Sequence, residues 1–300
     1  MTQAASTRRM ILCAGLQSGG TTLISWCILQ RRDTNGVLDM SHDVIQTSFD
    51  KVDAPIVWVK MTVASFRWLD VCGVYCDLGW DPVPILIVRD TRTAYSSLIG
   101  KGYGFNGTTA EEPPLRTRFR RFLQDWELFR ANGWTIVKYE DFIQDERRTL
   151  LRICQAADLA WDDAMLSWPK KASEIAYMSE ANDTFAASMG KGWLAAAKLP
   201  GKAEVRIDHL PITELEWLER MFSSYNDCHG YPTKVQPAAT GAVPISMAPP
   251  SSAESPVRQW YRREAERLWD ENAQLWRENE RLRIENERLR GPHERRTQPR

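Results

Sequence analysis

The sequence has no excess of charge of either sign. Lysine and arginine together number 39, aspartate and glutamate also number 39, and the formal net charge at neutral pH is zero. A protein that neutralises many phosphates, or that binds an acidic surface, usually carries a clear positive excess. The composition therefore gives no support to a nucleic-acid-binding function or to an acidic-surface partner.

Long hydrophobic runs are also absent. No apolar stretch approaches the roughly 20 residues that a transmembrane helix needs. The first apolar run begins at Met10, and the residues before it do not form the hydrophobic segment of a signal peptide. We therefore expect a cytoplasmic protein without a membrane span.

Cysteine is scarce, with six residues scattered mostly inside apolar segments. Cys72 and Cys76 could in principle contribute to a metal site, but no matching Cys/His pair follows them. We expect buried, reduced thiols, as in a cytoplasmic protein, and neither a disulfide framework nor a bound metal.

What the sequence does contain is an alternation of short apolar runs and helix-like segments. A hydrophobic fraction of 43% in 300 residues can form one sizeable core with room for an appendage. The alternation favours a three-layer, P-loop-like α/β domain with a central parallel sheet over residues 1–231. We expect its main strands within residues 10–14, 56–61, 84–88 and 134–139.

The chain changes character after this domain. Residues 232–256 are dense in Pro, Ala, Ser and Thr and almost uncharged, which predicts a disordered linker. In residues 257–291, leucine recurs every seven residues and asparagine occupies the other seam position, which predicts a parallel coiled coil and a homodimer. Residues 292–300 are expected to be a disordered tail. The heptad positions are Leu268, Leu275, Leu282 and Leu289, with Asn272, Asn279 and Asn286.

A short stretch near the N-terminus has the features of an anion site. Residues 15–22, GLQSGGTT, follow the first apolar run and open a helix. Glycines let backbone N–H groups approach an oxygen closely, and a helix N-terminus adds unpaired donors and a positive dipole end. The spacing is that of a phosphate-binding loop in which Thr21 replaces the usual lysine. A tight strand-to-helix connection would also need glycine, so this stretch alone leaves that alternative open.

A second stretch follows the apolar run at residues 84–88. Arg89 stands at its end, and Ser97 comes eight residues later. A guanidinium at a strand end and a hydroxyl two turns along the next helix can bind one phosphate together. The alternative is that Arg89 pairs with a neighbouring carboxylate and that Ser97 is ordinary helix surface.

Taken together, the two stretches resemble the sulfotransferases that use 3′-phosphoadenosine 5′-phosphosulfate (PAPS). In that family, G-x-P-R/K-S-G-T-T binds the 5′-phosphosulfate and R-D-x-R-x-x-x-x-S binds the 3′-phosphate. The resemblance implies donor-binding roles for Gln17, Ser18, Gly19, Gly20, Thr21 and Thr22, and for Arg89 and Ser97. Lys191 and Gly192 resemble a late basic-Gly segment that contacts the 3′-phosphate, and residues 137–142, VKYEDF, resemble a strand end whose acidic pair is structural.

The chain departs from the family at two points. Ser18 occupies the position of the loop's basic residue, and we expect Lys60, in a strand that resembles the family's K-T-H strand, to replace that cation. The histidine of K-T-H is Thr62 here, so another residue must accept the acceptor's proton. Asp39, at the position of a glutamate in carbohydrate- and tyrosine-modifying members, and His42 are the two candidate bases.

The sequence therefore predicts a metal-independent sulfotransferase that uses PAPS as sulfuryl donor. Its acceptor would be a hydroxyl or amine of a small molecule, carbohydrate or peptide. One alternative is a P-loop phosphotransferase, which is disfavoured because the loop lacks its lysine and no acidic Mg²⁺-binding strand end is evident. The other is a non-catalytic adaptor that keeps the nucleotide-binding fold and acts through the coiled coil.

Overall fold

The computed structural model describes residues 8–38, 40, 49, 52–64, 66–103, 114–178, 207, 210–232, 257, 259–261 and 263. The chain divides into two compact units, Met1–Pro249 and Pro250–Arg300. In the second unit the described residues are helical, and the Arg263 side chain donates to the Gln259 carbonyl at 3.2 Å. Most of the predicted coiled coil, the linker and the tail lie outside the described residues.

Five parallel strands form the sheet of the first unit, in the order β2-β3-β1-β4-β5. They confirm the predicted α/β fold with a central parallel sheet. The strand that sequence reasoning missed is β2, because its Asn35 and Gly36 break the apolar run that marks a buried strand. The strands are β1 (Arg9–Gly15), β2 (Thr34–Val37), β3 (Ile56–Thr62), β4 (Pro82–Val88) and β5 (Thr135–Lys138).

Helices connect the strands and follow the last of them. The described helices are α1 (Thr21–Leu29), α2 (Trp68–Asp77), α3 (Thr91–Gly100), α4 (Leu115–Ala131), α5 (Tyr139–Gln144), α6 (Glu146–Ala156), α7 (Ala164–Ser167), α8 (Ile212–Met221) and α9 (Ser223–His229). A 3₁₀ turn spans Ala172–Glu174.

Three helix boundaries differ from the expectation. The sequence after the second apolar run predicts a helix over residues 63–71, but the helix begins only at Trp68. Tyr139 to Gln144 form a helix instead of ending the fifth strand. Residues 213–216, TELE, resemble a capping box that would begin one helix running to about residue 225. In the structure Pro211 is the N-cap residue, and the helix is divided at Phe222.

Helices cover both faces of the sheet. On one face, Ile11, Cys13 and Trp58 belong to a buried cluster that also includes residues of α1, α6 and α7. Leu12 points the opposite way along β1, since successive side chains of a strand alternate. There the Trp68 indole of α2 donates to the Leu12 carbonyl at 3.2 Å and packs edge-on against Phe129 of α4. This arrangement is the expected three-layer domain.

The carboxyl ends of neighbouring strands meet at one edge of the sheet. Gly15 pairs with Thr62 of β3 and with Ile87 of β4, and Val88 pairs with Lys138 of β5. The segments after β1, β4 and β5 therefore start side by side, as expected at the ligand-binding edge of an open parallel sheet. None of the described helices is both long and apolar enough to cross a membrane.

Candidate functional site

The loop between β1 and α1 is a tight turn that depends on its glycines. A Cβ on Gly15 would lie 2.5 Å from a Thr21 methyl carbon and 2.8 Å from the Ile87 carbonyl oxygen. The Gly19 amide donates to the Leu16 carbonyl at 2.9 Å and closes the turn. Ser18 has a φ of 63°, which is uncommon for a residue with a side chain. The loop geometry is therefore held by close packing against β4 and by its own hydrogen bond.

Gly20 ends the loop and is the N-cap residue of α1. Its φ is 84°, and a Cβ there would lie 2.0 Å from a carbon of the Tyr139 ring. No side chain caps the start of α1, so the first amides of this nine-residue helix keep their donor capacity. Thr21 packs inward at 3% exposure, and Thr22 is half-buried. The loop and helix start thus provide the donors and dipole of an anion site.

Arg89 joins this loop to the end of β4. Its Nη1 donates to the Ser18 carbonyl at 2.7 Å, and its guanidinium lies 4.6 Å from the centre of the Tyr139 ring. The buried Tyr225 hydroxyl contacts both the Arg89 amide, at 3.1 Å, and the Arg89 carbonyl, at 2.7 Å. Backbone and side chain of Arg89 are therefore both held toward the loop.

The carboxylates beside Arg89 are engaged elsewhere. Asp90 caps α3 by accepting from the Arg92 amide at 2.9 Å and forms a 2.6 Å ion pair with the Arg92 guanidinium. Glu140 accepts from the Asp90 amide at 3.0 Å and from the Tyr231 hydroxyl at 2.8 Å. Within the part of the chain that the structure describes, Arg89 has no carboxylate partner. Glu140 supports the strand end that carries Arg89.

Two further polar residues lie in the last turns of helix α3. Ser97 is half-buried and lies two turns beyond Arg89. Lys101, the C-cap residue of α3, donates from Nζ to the Ser18 hydroxyl at 2.9 Å. Burial, followed by the nearby charge of Arg89, lowers the pKa of Lys101. Sequence reasoning missed Lys101, although its position one helical turn after Ser97 places both residues on the same side of α3.

A second set of contacts anchors the loop through Gln17. Gln17 donates from Nε2 to the Tyr103 hydroxyl at 2.5 Å and accepts from Arg118 Nη1 at 3.1 Å. The Arg118 guanidinium also lies 5.4 Å from the centre of the Tyr103 ring, and Arg118 is only 1% exposed. Helix α4 therefore positions the loop through Gln17, a role that the sequence pattern did not indicate.

Lys60 lies at the same edge of the sheet, near the end of β3. It is 2% exposed, and its Nζ donates to the Thr62 hydroxyl at 3.2 Å. Thr62 is the register partner of Gly15, so Lys60 reaches toward the strand end from which the loop departs. The Met40 amide donates to the Lys60 carbonyl at 3.2 Å.

Four of the sequence-predicted site residues lie outside the described residues, namely Asp39, His42, Lys191 and Gly192. Of the others, residues 15–22 and Arg89 meet through the hydrogen bond from Arg89 to the Ser18 carbonyl. Lys60 lies near the carboxyl end of β3, and Ser97 lies two turns along α3, which starts at the same edge of the sheet. Among described residues, no group of three or more His, Cys, Asp or Glu side chains could hold a metal ion.

Comparison with known protein families finds a match in the central segment of the chain. Residues 83–163 match a model described as the Sulfotransferase family. The match includes β4, Arg89, α3 and the segments up to α6, so it covers the second of the two stretches that carry the resemblance. The predicted resemblance to sulfotransferases is confirmed in this part of the chain.

Two solved structures are similar in outline. The mouse sulfotransferase SULT7A1, complexed with PAP, is 10% identical with a TM-score of 0.43, covering 73% of this chain and 85% of that one. The sulfotransferase domain of the Synechococcus PCC 7002 olefin synthase is 12% identical with a TM-score of 0.43, covering 75% of this chain and 97% of that one. Similarities this low do not identify individual functional residues. No curated protein sequence matches the chain.

Proposed function

We propose that this chain, in which residues 83–163 match a sulfotransferase family, transfers a sulfuryl group from PAPS to a hydroxyl or amine acceptor. The observation that supports the proposal most directly is the 2.7 Å hydrogen bond from Arg89 to the Ser18 carbonyl. It joins two stretches that lie 71 residues apart in sequence. The resemblance assigns these stretches to the two phosphate groups of one nucleotide, so their meeting supports a single donor site.

The residues at this edge fit a doubly phosphorylated nucleotide. Arg89 and Lys101 place two positive charges beside the loop, and neither forms an ion pair with a described carboxylate. The uncapped start of α1 adds backbone donors. Arg89 and Ser97 would hold the 3′-phosphate, and the loop amides with Thr21 and Thr22 would hold the 5′-phosphosulfate. Lys191 and Gly192 are proposed to assist at the 3′-phosphate.

The remaining residues are assigned to the chemistry of transfer. When bound, the donor supplies the sulfuryl group, and its phosphate leaves with the electron pair of the broken S–O bond. Asp39 or His42 would take the proton from the attacking acceptor. Lys60 would face the negative charge that develops on the bridging oxygen, where a preorganised donor lowers a barrier by roughly 3–4 kcal/mol. The acceptor itself, whether small molecule, carbohydrate or peptide, is not specified by these residues.

Two further properties are proposed from the sequence. The heptad register of residues 257–291 supports a homodimer through a parallel coiled coil. The scattered cysteines support a reducing, cytoplasmic environment, and the described cysteines form no disulfide.

A thermal-shift experiment tests the donor assignment. We expect adenosine 3′,5′-diphosphate to raise the melting temperature clearly more than ATP or GTP at equal concentration. A ligand at one hundred times its Kd stabilises the folded state by about 2.7 kcal/mol, which such a scan resolves. A preference for ATP or GTP would instead support the P-loop phosphotransferase alternative.

A transfer assay then separates the enzyme from the adaptor. The wild-type chain, incubated with PAPS and a panel of phenols, alcohols, amines and sugars, should release adenosine 3′,5′-diphosphate in an acceptor-dependent manner. Binding of the nucleotide without transfer to any acceptor would favour the non-catalytic adaptor.

A further inference from the structure

The phosphate-binding loop contains no cationic side chain of its own. Its residues between Gly15 and Thr22 are uncharged, and Ser18 stands where the resemblance places a basic residue. A phosphosulfate carries negative charge on both of its groups, so backbone donors alone would leave that charge incompletely matched. The missing charge must come from another element if the loop binds this group.

Lys101 reaches this position from outside the loop. Its Nζ lies 2.9 Å from the Ser18 hydroxyl oxygen, which is the side chain in the place of the basic residue. The Lys101 amide bonds the Ser97 carbonyl at 3.2 Å and the Leu98 carbonyl at 3.1 Å, so the residue is fixed at the end of α3. The helix end therefore fixes the Lys101 backbone beside the loop, and the exposed side chain reaches the Ser18 hydroxyl from there.

The electrostatic surroundings of Lys101 point to an anion. No described carboxylate forms an ion pair with it, and the Arg89 guanidinium contributes a second positive charge at the same loop. Burial, and to a smaller extent the same charge of Arg89, lowers the Lys101 pKa. Two like charges facing one loop repel each other, and a bound anion would relieve this repulsion.

We propose that Lys101 supplies the cation of the phosphate-binding loop and binds the 5′-phosphosulfate of the donor through its ammonium group. This inference rests on the proposed function. The sequence led us to expect that Lys60 replaces the missing loop cation. In this proposal Lys101, which contacts Ser18, provides the charge for nucleotide affinity, and Lys60, which contacts Thr62, keeps only the role toward the charge developed during transfer. The role proposed for Lys101 also differs from that of Arg89, because Lys101 is assigned to the 5′-phosphosulfate and Arg89 to the 3′-phosphate.

Calorimetric titration of the full chain tests the proposal with two ligands. Adenosine 3′,5′-diphosphate has both phosphates, and adenosine 5′-phosphosulfate lacks the 3′-phosphate. We expect Lys101→Met to weaken both ligands by tenfold or more, since a charge-assisted hydrogen bond is lost in each case. Lys171→Met is the matched control, because Lys171 is exposed and its amide bonds Glu174 within the 3₁₀ turn. The control should bind both ligands like the wild type.

A second variant tests whether charge at the loop is the essential feature. Ser18→Lys in the Lys101→Met background should recover at least part of the lost affinity, because it returns a cation to the loop itself. Lys101→Arg should keep most of the affinity. Recovery in these variants would support the assignment independently of any loss caused by a disturbed helix end.

The outcomes distinguish this inference from the proposed function. If Lys101→Met binds both ligands like the wild type while Arg89→Ala loses affinity, the inference is wrong and the nucleotide site stands. If Lys101→Met loses affinity only for adenosine 3′,5′-diphosphate, the lysine belongs to the 3′-phosphate and the inference is again overturned. If the wild type binds neither nucleotide, the proposed function fails and the inference fails with it.

Discussion

At the residue scale, Arg89 is the side chain on which the donor site depends most. It bonds the loop through Ser18, stacks on Tyr139 and is held by Tyr225. Within the described residues, its Nη1 is the guanidinium nitrogen that makes a hydrogen bond, so the other N–H groups keep donor capacity for a ligand. A guanidinium with free, parallel donors is suited to a phosphate.

We expect Arg89→Ala to lower the affinity for adenosine 3′,5′-diphosphate by tenfold or more. The reason is the loss of charge-assisted hydrogen bonds, which are worth about 1.5–3 kcal/mol. Ser97→Ala should cause a smaller loss, since a neutral hydroxyl is removed. Calorimetry with adenosine 5′-phosphosulfate is the control. Its affinity should fall less than that of adenosine 3′,5′-diphosphate, because this ligand loses only the indirect effect of the Arg89–Ser18 hydrogen bond and of the nearby charge. Equal losses for both nucleotides in the Arg89 variant would contradict the assignment to the 3′-phosphate.

A second residue-scale prediction concerns Gly20. Gly20 and Gly79 have similar positive φ values, 84° and 87°. A Cβ at Gly20 would lie 2.0 Å from the Tyr139 ring, whereas a Cβ at Gly79 would meet nothing within 4 Å. Gly79→Ala therefore measures the backbone penalty alone, about 1–2 kcal/mol. Gly20→Ala should lose a further 1–3 kcal/mol, roughly, by overpacking.

Urea unfolding of the two variants and the wild type measures the backbone penalty and the overpacking penalty as differences in the free energy of unfolding. The double variant Gly20→Ala, Tyr139→Leu should recover part of the difference, because the ring that meets the new methyl group is removed. Equal destabilisation by Gly20→Ala and Gly79→Ala would show that Tyr139 moves aside without cost and does not fix the loop.

At the scale of elements, α4 and α9 meet through a histidine that the fold keeps neutral. The Trp126 indole donates to His229 Nε2 at 2.9 Å, which requires that this nitrogen be unprotonated. Burial, and then the charge of Lys138, lowers the pKa of His229 to about 4. Between this value and the ordinary pKa of about 6.5, the unfolded chain binds more protons than the folded one.

The free energy of unfolding should therefore fall as pH decreases from about 6.5 to 4. Because His229 is only partly buried, we expect the loss from this residue to stay below about 2 kcal/mol. His229→Gln keeps an acceptor for Trp126 and removes the titration. Chemical denaturation at pH 7 and pH 5 should show a smaller pH-dependent loss in the variant than in the wild type. Identical pH dependence in both would contradict the assignment.

Some of the strands and contacts could be predicted from the sequence, and others could not. The strands β1, β3 and β4 were predictable because strands buried on both faces form continuous apolar runs. Strand β2 was not predictable, because Asn35 is polar and Gly36 has no side chain, so the apolar run is broken. Gly36 is needed there because its backbone packs closely against the backbone of Trp58. The resemblance predicted that Arg89 and the loop bind one donor, but it did not predict the hydrogen bond from Arg89 to the Ser18 carbonyl. The contacts of Lys101 and Gln17 depend on where α3 and α4 pack, which no local pattern encodes.

At the scale of the whole molecule, the chain combines a folded α/β domain with a segment of different composition. The structure divides into the units Met1–Pro249 and Pro250–Arg300, and the composition changes after residue 231. The heptad pattern places leucine and asparagine on one stripe of a helix, and such a stripe is buried only when a second helix pairs with it. A homodimer formed through this segment would contain two donor sites, one in each α/β domain.

Removal of residues 257–300 should convert a dimer to a monomer and leave the α/β domain folded. Light scattering gives the mass, and far-ultraviolet circular dichroism with a melting curve reports the fold. In the full chain, Leu275→Glu with Leu282→Glu should have the same effect, because both residues occupy the apolar seam. The matched control is Gln274→Glu with Arg281→Glu, which changes neighbouring positions outside the seam. A truncated chain that remains dimeric would place the dimer contact in the α/β domain. A full-length chain that is monomeric at every concentration would show that the segment pairs with a different protein or with none.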